Sequence, residues 1–380
     1  MDGFSFIPHQ AVLFLDEIQE CAGARTFLKN AVLDGWLDVI ASGSLLGLKG
    51  YNKKKSEGAA VGFTKRLTMH PLDFEEYLWA KGVKEGVISL IKNRFREHKP
   101  LPEAMHEKLS ALFREYIVIG GTPSIVDGFI RDKNFRTAIE AQRSLIEDYK
   151  TDFGKYLDKN EEERVDPNLL IALSEVFSSM PAQLAKENKK FQYSTIGGKA
   201  RGSTRLQAVN WLVDYGLLLP CHRLKKLEKP LEGNKDVDCY KLYFADTGLL
   251  VASLGDSAPR DILEGNLSIY KGAIYENVVA CVFANNEIPL YYYESSGTIE
   301  IDFVAEYERE VSLVEVKPRG GKAKAAKYIL DRPDESHVPY CVKFTSTQPS
   351  FVGPNINYPH YMSFLFGSKN PLDGLEAVEI

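Results

Sequence analysis

At 380 residues, 44% hydrophobic and 26% charged, the chain has an ordinary globular composition and length enough for several cores. A formal net charge of −5 excludes a polyanion binder by bulk charge, so any nucleic-acid site must be a local patch. Five cysteines without C-x-x-C spacing argue against a zinc site or a disulfide framework and suit a reducing cytoplasm, and no apolar run approaches the ~18 residues of a membrane helix.

In chain order, the first element is the apolar run Ala11 to Leu15, which ends in the adjacent carboxylates Asp16 and Glu17. A continuous apolar run predicts a strand covered on both faces, as in a parallel α/β sheet. A helix through Phe27, Leu28, Ala31 and Val32 follows, then a second strand, Leu37 to Ala41, ending in Ser42, Gly43 and Ser44. Together they make one βαβ unit. From Pro71 the spacing turns helical, through Met105, Leu109, Leu112, Phe113, Tyr116 and Ile117, and again through Ala138, Ala141, Leu145, Ile146 and Tyr149. Gly120, Gly121, Thr122 and Pro123 break the chain between these helices.

A further helix carries Leu169, Leu170, Leu173, Val176 and Phe177. Ser203 is placed to cap the next, whose Leu206, Val209, Leu212 and Val213 point inward. Strands Leu217 to Leu219 and Tyr240 to Phe244 then form a hairpin, and helices followed by a hairpin suggest a winged helix. A helix opening near Gly272 buries Tyr275, Val278, Val279, Val282 and Phe283. Strands follow at Leu290 to Tyr293, Thr298 to Glu306, Val311 to Lys317 and Tyr340 to Phe344, with a turn at Ser295, Ser296 and Gly297.

The expected fold is a multidomain α/β protein. Residues 1–70 form a partial P-loop-type parallel sheet, 71–158 a helical lid, 159–250 a winged helix and 251–380 a restriction-endonuclease-like α/β domain.

An ATP-hydrolysing site needs a carboxylate for the magnesium shell and a second group to orient the attacking water. Asp16 and Glu17 at a strand exit fit these roles, and Ser42 or Ser44 on the next strand can sense the terminal phosphate. The plainer reading of an Asp-Glu pair there is a helix start, where carboxylates are favoured. The succession LFLDEIQE, DVIASGSLLG, RLTMHPLDFEEYL and GGTPSIV resembles bacterial and archaeal AAA+ ATPases that carry a winged-helix and nuclease-like C-terminal region of uncharacterised function. The resemblance implies Asp16 as the magnesium carboxylate of the Walker B strand, Glu17 as the base and Ser42 to Ser44 as the sensor. It implies Arg66 as an arginine acting on a neighbouring subunit's nucleotide, although a solvated surface arginine reads the same way. The family's phosphate loop has no counterpart, because no G-x-x-x-x-G-K-[ST] run occurs in the chain. The chain is therefore expected to bind ATP poorly by itself, and a shortened gene or an authentic short relative gives the same text. A strand deprived of neighbours leaves an apolar edge, so a protein partner or self-association is expected to cover it.

Downstream, Asp302 precedes Glu315-Val316-Lys317, and this Asp…Glu-x-Lys pattern resembles the PD-(D/E)XK nucleases. Residues two apart on a strand share a face, so Glu315 and Lys317 project together while Val314 and Val316 face the core. Asp302 and Glu315 offer hard oxygen ligands to magnesium, and Lys317 can orient water or stabilise a charged transition state. Glu276 on the preceding helix matches the extra acid such folds carry, and Lys322, Lys324 and Lys327 on the following helix suit a DNA backbone. The plainer alternative is a solvated strand face held by a cross-strand Glu–Lys contact.

Between Lys186 and Lys229 ten basic residues face three acidic ones. Lys199, Arg201 and Arg205 flank the start of the expected recognition helix, and Arg223, Lys225 and Lys226 lie at the wing, which together predict DNA binding. The alternative is a solvated basic surface, or one packed on the acidic Glu161 to Glu163. Three functions are thus open: a AAA+-type DNA-associated protein, a magnesium-dependent DNA endonuclease, and a non-enzymatic DNA- or partner-binding regulator.

Overall fold

The computed structural model describes residues 10–18, 21–35, 37–43, 62–157, 167–186, 189–198, 201–266, 272–295, 299–318, 320 and 323–367. Ser44, Lys199, Lys322, the Ser296–Gly297 turn and the Glu161 to Glu163 stretch lie outside them.

The N-terminal unit is β1 (Val12–Leu15), α1 (Ala22–Asp34) and β2 (Asp38–Ala41), with β1 and β2 parallel in the register Val12↔Asp38 to Leu15↔Ala41. Gly35 ends α1 in the left-handed conformation, with φ 66°. This is the expected βαβ unit, but β1 is not covered on both faces. Phe14 is 70% exposed, and Val12 and Ile40 are exposed with it, while Leu13 and Leu15 are half-buried. Two strands and one helix can shield only one side of a sheet.

Residues 62–73 precede α2 (Phe74–Ala80) without regular structure. The HPLDFEE sequence closes in a capping box, with Glu76 N donating to Asp73 Oδ1 (2.8 Å) and Asp73 N to Glu76 Oε2 (2.9 Å). Helices α3 (Glu85–Glu97), α4 (Glu103–Ile119), α5 (Pro123–Asp132) and α6 (Phe135–Leu157) complete a helical layer over Phe74, Ile91, Leu109, Phe113 and Phe129. On α6 the inward position is Gln142, not the expected Ala141, which is exposed. Gln142 Nε2 donates to the carbonyls of Val118 (2.9 Å) and Ile119 (2.7 Å), groups that the end of α4 leaves without helical partners.

Gly120 and Gly121 are required where α4 turns into α5. Gly120 has φ 73°, and a Cβ on Gly121 would overlap the Leu72 carbonyl. The buried Asp246 closes this junction, accepting from Gly121 N (3.1 Å) and Thr122 Oγ1 (2.8 Å).

Next come α7 (Pro167–Leu184), a 3-10 turn at Tyr193–Thr195, α8 (Gly202–Asp214) and the hairpin β3 (Leu218–Leu224) and β4 (Lys235–Phe244). The residue flanking α8 is Arg201, not Ser203, and it makes no side-chain cap. Arg205, Ala208, Val209, Trp211 and Leu212 face inward, and Leu206 is exposed. The chain continues through α9 (Thr247–Ala252), α10 (Ala258–Leu263), α11 (Ala273–Asn285), β5 (Tyr291–Ser295), β6 (Ile299–Tyr307), β7 (Glu310–Val316), α12 (Lys324–Leu330), α13 (Pro333–Ser336), β8 (Tyr340–Thr345), β9 (Ser350–Val352) and β10 (Asn355–Pro359). A 3-10 turn, His360–Leu365, follows.

The strands from β3 onward form one mixed sheet in the order β4-β3-β5-β6-β7-β8-β10-β9. The hairpin expected as a wing therefore continues into the C-terminal sheet, with β3 parallel to β5 through His222↔Tyr291 and Leu224↔Tyr293. One core runs from the helical layer through α7, α8 and α11 to one sheet face, and includes Trp211, Phe244, Phe283, Phe303 and Val314. A smaller core under α12, with Ile301, Leu313, Ala326 and Cys341, covers the other face. No described helix is long and apolar enough to cross a membrane.

Candidate functional site

In the N-terminal unit Asp16 leaves β1 beside the end of β2. Ser42 N donates to Leu15 O (2.8 Å) and Ile18 N to Ser42 O (3.0 Å), so the two strand exits are tied. Ser42 Oγ then donates to Asp16 Oδ1. Glu17, with φ 48°, donates its own N–H to the same oxygen at 3.1 Å. Asp16, Glu17 and Ser42 thus meet on one edge of the unit, while Arg66 is exposed in the irregular 62–73 stretch.

The second constellation is buried and more closely assembled. Opposite β5, the pairs Tyr291↔Val304 and Tyr293↔Ile301 leave one extra residue on β6, a bulge at Asp302 and Phe303. Pairing of β6 with β7 reaches Phe303↔Val314, and beyond it Val316 N donates to the Asp302 carboxylate (2.8 Å). The side chain of Asp302 there takes the place of a backbone partner. Lys317 Nζ lies 3.0 Å from Asp302 Oδ2 and 2.5 Å from Glu315 Oε2. Glu315 Oε2 makes no hydrogen bond of good geometry, so that close contact is chiefly one of charge. The solvated-face alternative fails, because Glu315 is 1% exposed and Asp302 7%.

Glu276 on α11 is also buried, and its nearest cation is Lys189, at 2.7 Å. Tyr243 donates its hydroxyl to the same carboxylate (3.2 Å). Lys241 on β4 is 1% exposed, pairs with Glu300 at 2.5 Å and lies 4.7 Å from the centroid of the Tyr292 ring. The cluster thus assembles four carboxylates, Glu276, Glu300, Asp302 and Glu315, around three ammonium groups, Lys189, Lys241 and Lys317. Pairing of this kind is what allows charges to be buried.

Its electrostatics follow from that packing. Burial would raise the Asp302 carboxyl, but Lys317, Lys241 and Lys189 together with the Val316 N–H hold it below the usual carboxylate range. Burial, with the charge of Asp302 added, pushes Glu315 up to about 7. Burial raises Glu276 too, against the pull of Lys189. Burial disfavours the Lys317 ammonium, yet Asp302 and Glu315 outweigh it and raise its pKa.

His360 completes the setting. Its ring stacks on Tyr275 with centroids 3.8 Å apart, and its Nε2 lies 3.0 Å from the Lys317 carbonyl. Burial lowers this histidine to about 3, so the neutral ring donates to that carbonyl and fixes the Lys317 backbone. Lys189, Lys241, Glu300 and His360 were not among the site residues expected from sequence. The available signal was Lys241, a charge on an apolar strand; Lys189 was hidden in a basic run.

Magnesium fits this arrangement poorly as it stands. Among the described residues no group of three His, Cys, Asp or Glu side chains is placed to hold a metal ion. Ammonium groups lie where a cation would neutralise the acids. This cluster can hold a proton at Glu315 and a fixed cation at Lys317.

The basic patch does not assemble as expected. The Arg205 guanidinium is buried, donating to the carbonyls of Tyr193 and Gly197 (both 3.0 Å) and pairing with Glu175 at 3.2 Å. Arg223 pairs with Asp236 at 2.6 Å, and Lys189 is spent on Glu276. Arg201, Lys225 and Lys226 remain exposed, as do Lys324 and Lys327 on α12.

Residues 3–78 match a AAA domain, residues 110–260 a domain of unknown function (DUF8612), and residues 271–359 a second domain of unknown function (DUF4143). No curated protein and no solved structure matches the chain. The N-terminal βαβ unit falls within the first of these matches, so that end of the chain is similar to a AAA domain.

Proposed function

We propose that this is a AAA-type protein that works on DNA. Its N-terminal strands would supply the water-orienting half of an ATP site, and its C-terminal sheet a PD-(D/E)XK-like platform. The observation that carries this reading is Ser42 bonded to Asp16 across neighbouring parallel strands, within the AAA match. In that geometry Asp16 is the magnesium-shell carboxylate, Glu17 the base and Ser42 the phosphate-sensing hydroxyl. The residues that would grip the phosphates are not among the 380, so this chain alone holds ATP weakly. DNA association rests on Arg201, Lys225, Lys226, Lys324 and Lys327, all exposed. A protein partner or a second copy of the chain covers Phe14 and Ile40. Isothermal titration with magnesium-ATP is expected to show no saturable binding, and a micromolar dissociation constant would overturn the claim.

The convergence of Asp302, Glu315 and Lys317 favours a second reading, a divalent-metal-dependent DNA endonuclease. Nicking of supercoiled plasmid that Lys317→Ala abolishes would establish it. No cleavage with any divalent metal would leave the platform as a binding scaffold.

A further inference from the structure

Residues 317–332, KPRGGKAKAAKYILDR, carry six basic residues against one acid, Asp331, in a chain of net charge −5. The run leaves β7 at Lys317 and takes in the whole of α12, and two further acids, Asp334 and Glu335, follow on α13. Ala326 and Ile329 anchor α12 from its inner side, while Lys324, Lys327 and Tyr328 turn outward. Tyr328 is 44% exposed. The Arg332 guanidinium carbon lies 3.6 Å from the centroid of the Tyr328 ring, and Arg332 Nη1 donates to the Tyr328 carbonyl at 2.9 Å. A flat cation stacked on a ring makes a larger flat surface, which a lysine would not provide. Lys324 and Lys327, three apart on the helix, lie on one side of it. Leu313 packs in the core under α12, and Glu315, two residues further along β7, shares its face by strand alternation. The helix therefore lies over the sheet face that bears Glu315.

We propose that α12 and Arg332 form a binding site for single-stranded nucleic acid, in which a base stacks on the Tyr328–Arg332 pair and Lys324 and Lys327 hold the adjoining phosphates. A base inside a duplex has both faces taken up by its neighbours, so only an unpaired strand can offer one to a tyrosine ring. The inference rests on the reading that the chain works on DNA and narrows it to the unpaired strand. A basic face that is merely solvated would bind strands by charge alone and would be indifferent to the ring.

The experiment measures fluorescence anisotropy of the full chain with three labelled probes of equal length, an oligothymidylate, an oligouridylate and a DNA duplex, at several salt concentrations. The oligothymidylate is expected to bind about tenfold more tightly than the duplex. Tyr328→Ala is expected to weaken the oligothymidylate about tenfold and Tyr328→Phe to keep it, with the duplex unchanged in both. Lys324→Ala/Lys327→Ala is expected to weaken every probe and to reduce the salt slope on the oligothymidylate by roughly 1. Should Tyr328→Ala not fold, Arg332→Lys decides the matter, because it keeps the charge and loses the flat surface. It is expected to weaken the oligothymidylate severalfold and leave the duplex alone, and unchanged oligothymidylate binding would overturn the proposal. A duplex bound as tightly as the single strand, a Tyr328→Ala variant that binds like the wild type, or one that loses both forms alike would also overturn it while leaving DNA association intact. Preference for the oligouridylate with the same dependence on Tyr328 would uphold the site and overturn DNA as its ligand. No binding of any probe would overturn both.

Discussion

Glu315 is the residue whose chemistry departs most from its sequence appearance. On paper it is one carboxylate of an alternating strand; in the fold, burial and the charge of Asp302 push it up to about 7. Between its unfolded pKa and that value the folded chain binds a proton that the unfolded chain has released, so stability falls as pH rises through the window. Urea denaturation at pH 5 and pH 8 is expected to show the wild type losing about 2 kcal/mol more than Glu315→Gln over that interval. Equal pH responses would mean that Glu315 is ionised throughout. Asp302 does not confuse the measurement, because its lowered pKa places its proton uptake below the window.

At the scale of the element, α8 shows how a one-residue difference in helical phase redirects a function. The expected inward face included Leu206 and left Arg205 free for DNA, whereas the structure turns Arg205 inward onto Glu175. Arg205→Ala is expected to cost about 3 kcal/mol in denaturation, because a half-buried carboxylate and two carbonyls lose their donor. Salt-dependent DNA affinity, read by fluorescence anisotropy, is expected to change little in Arg205→Ala and to fall in Arg201→Ala. The opposite pattern would return Arg205 to the interface.

Much of the element layout was legible in the sequence. The βαβ unit, the helices around Phe113 and Ile146, α11, and the strands bearing Asp302 and Glu315 all follow from apolar period and turn residues. The bulge at Asp302 was not legible, because strand alternation gives no sign of one extra residue. Lys189 and Lys241 were not legible as site residues, since what buries them is an acid 87 residues away for the first and 59 for the second. Gln142 took the inward place from Ala141 because it answers two carbonyls of another helix, a need that no local pattern records.

For the molecule as a whole, the contrast lies between a sheet covered on both faces and a two-stranded unit covered on one. Phe14, Ile40, Val32 and Leu33 are all more than half exposed, a degree of apolar exposure that marks an interaction surface or an aggregation liability. Phe14→Ser with Ile40→Ser is expected to roughly halve binding of a hydrophobic dye and to move sedimentation toward the monomer. Unchanged dye binding would place the sticky surface elsewhere. The large sheet carries a different lesson. Two of its strands, β3 and β4, belong to the stretch matching one uncharacterised domain, and β5 to β10 to the stretch matching the other. A polypeptide started at Gly272 would leave β5 without its β3 neighbour and Glu276 without Lys189 and Tyr243. The two stretches are therefore not interchangeable parts. Recombination in the segment between them would separate halves of one folding unit, and a gene that keeps either stretch is under pressure to keep both.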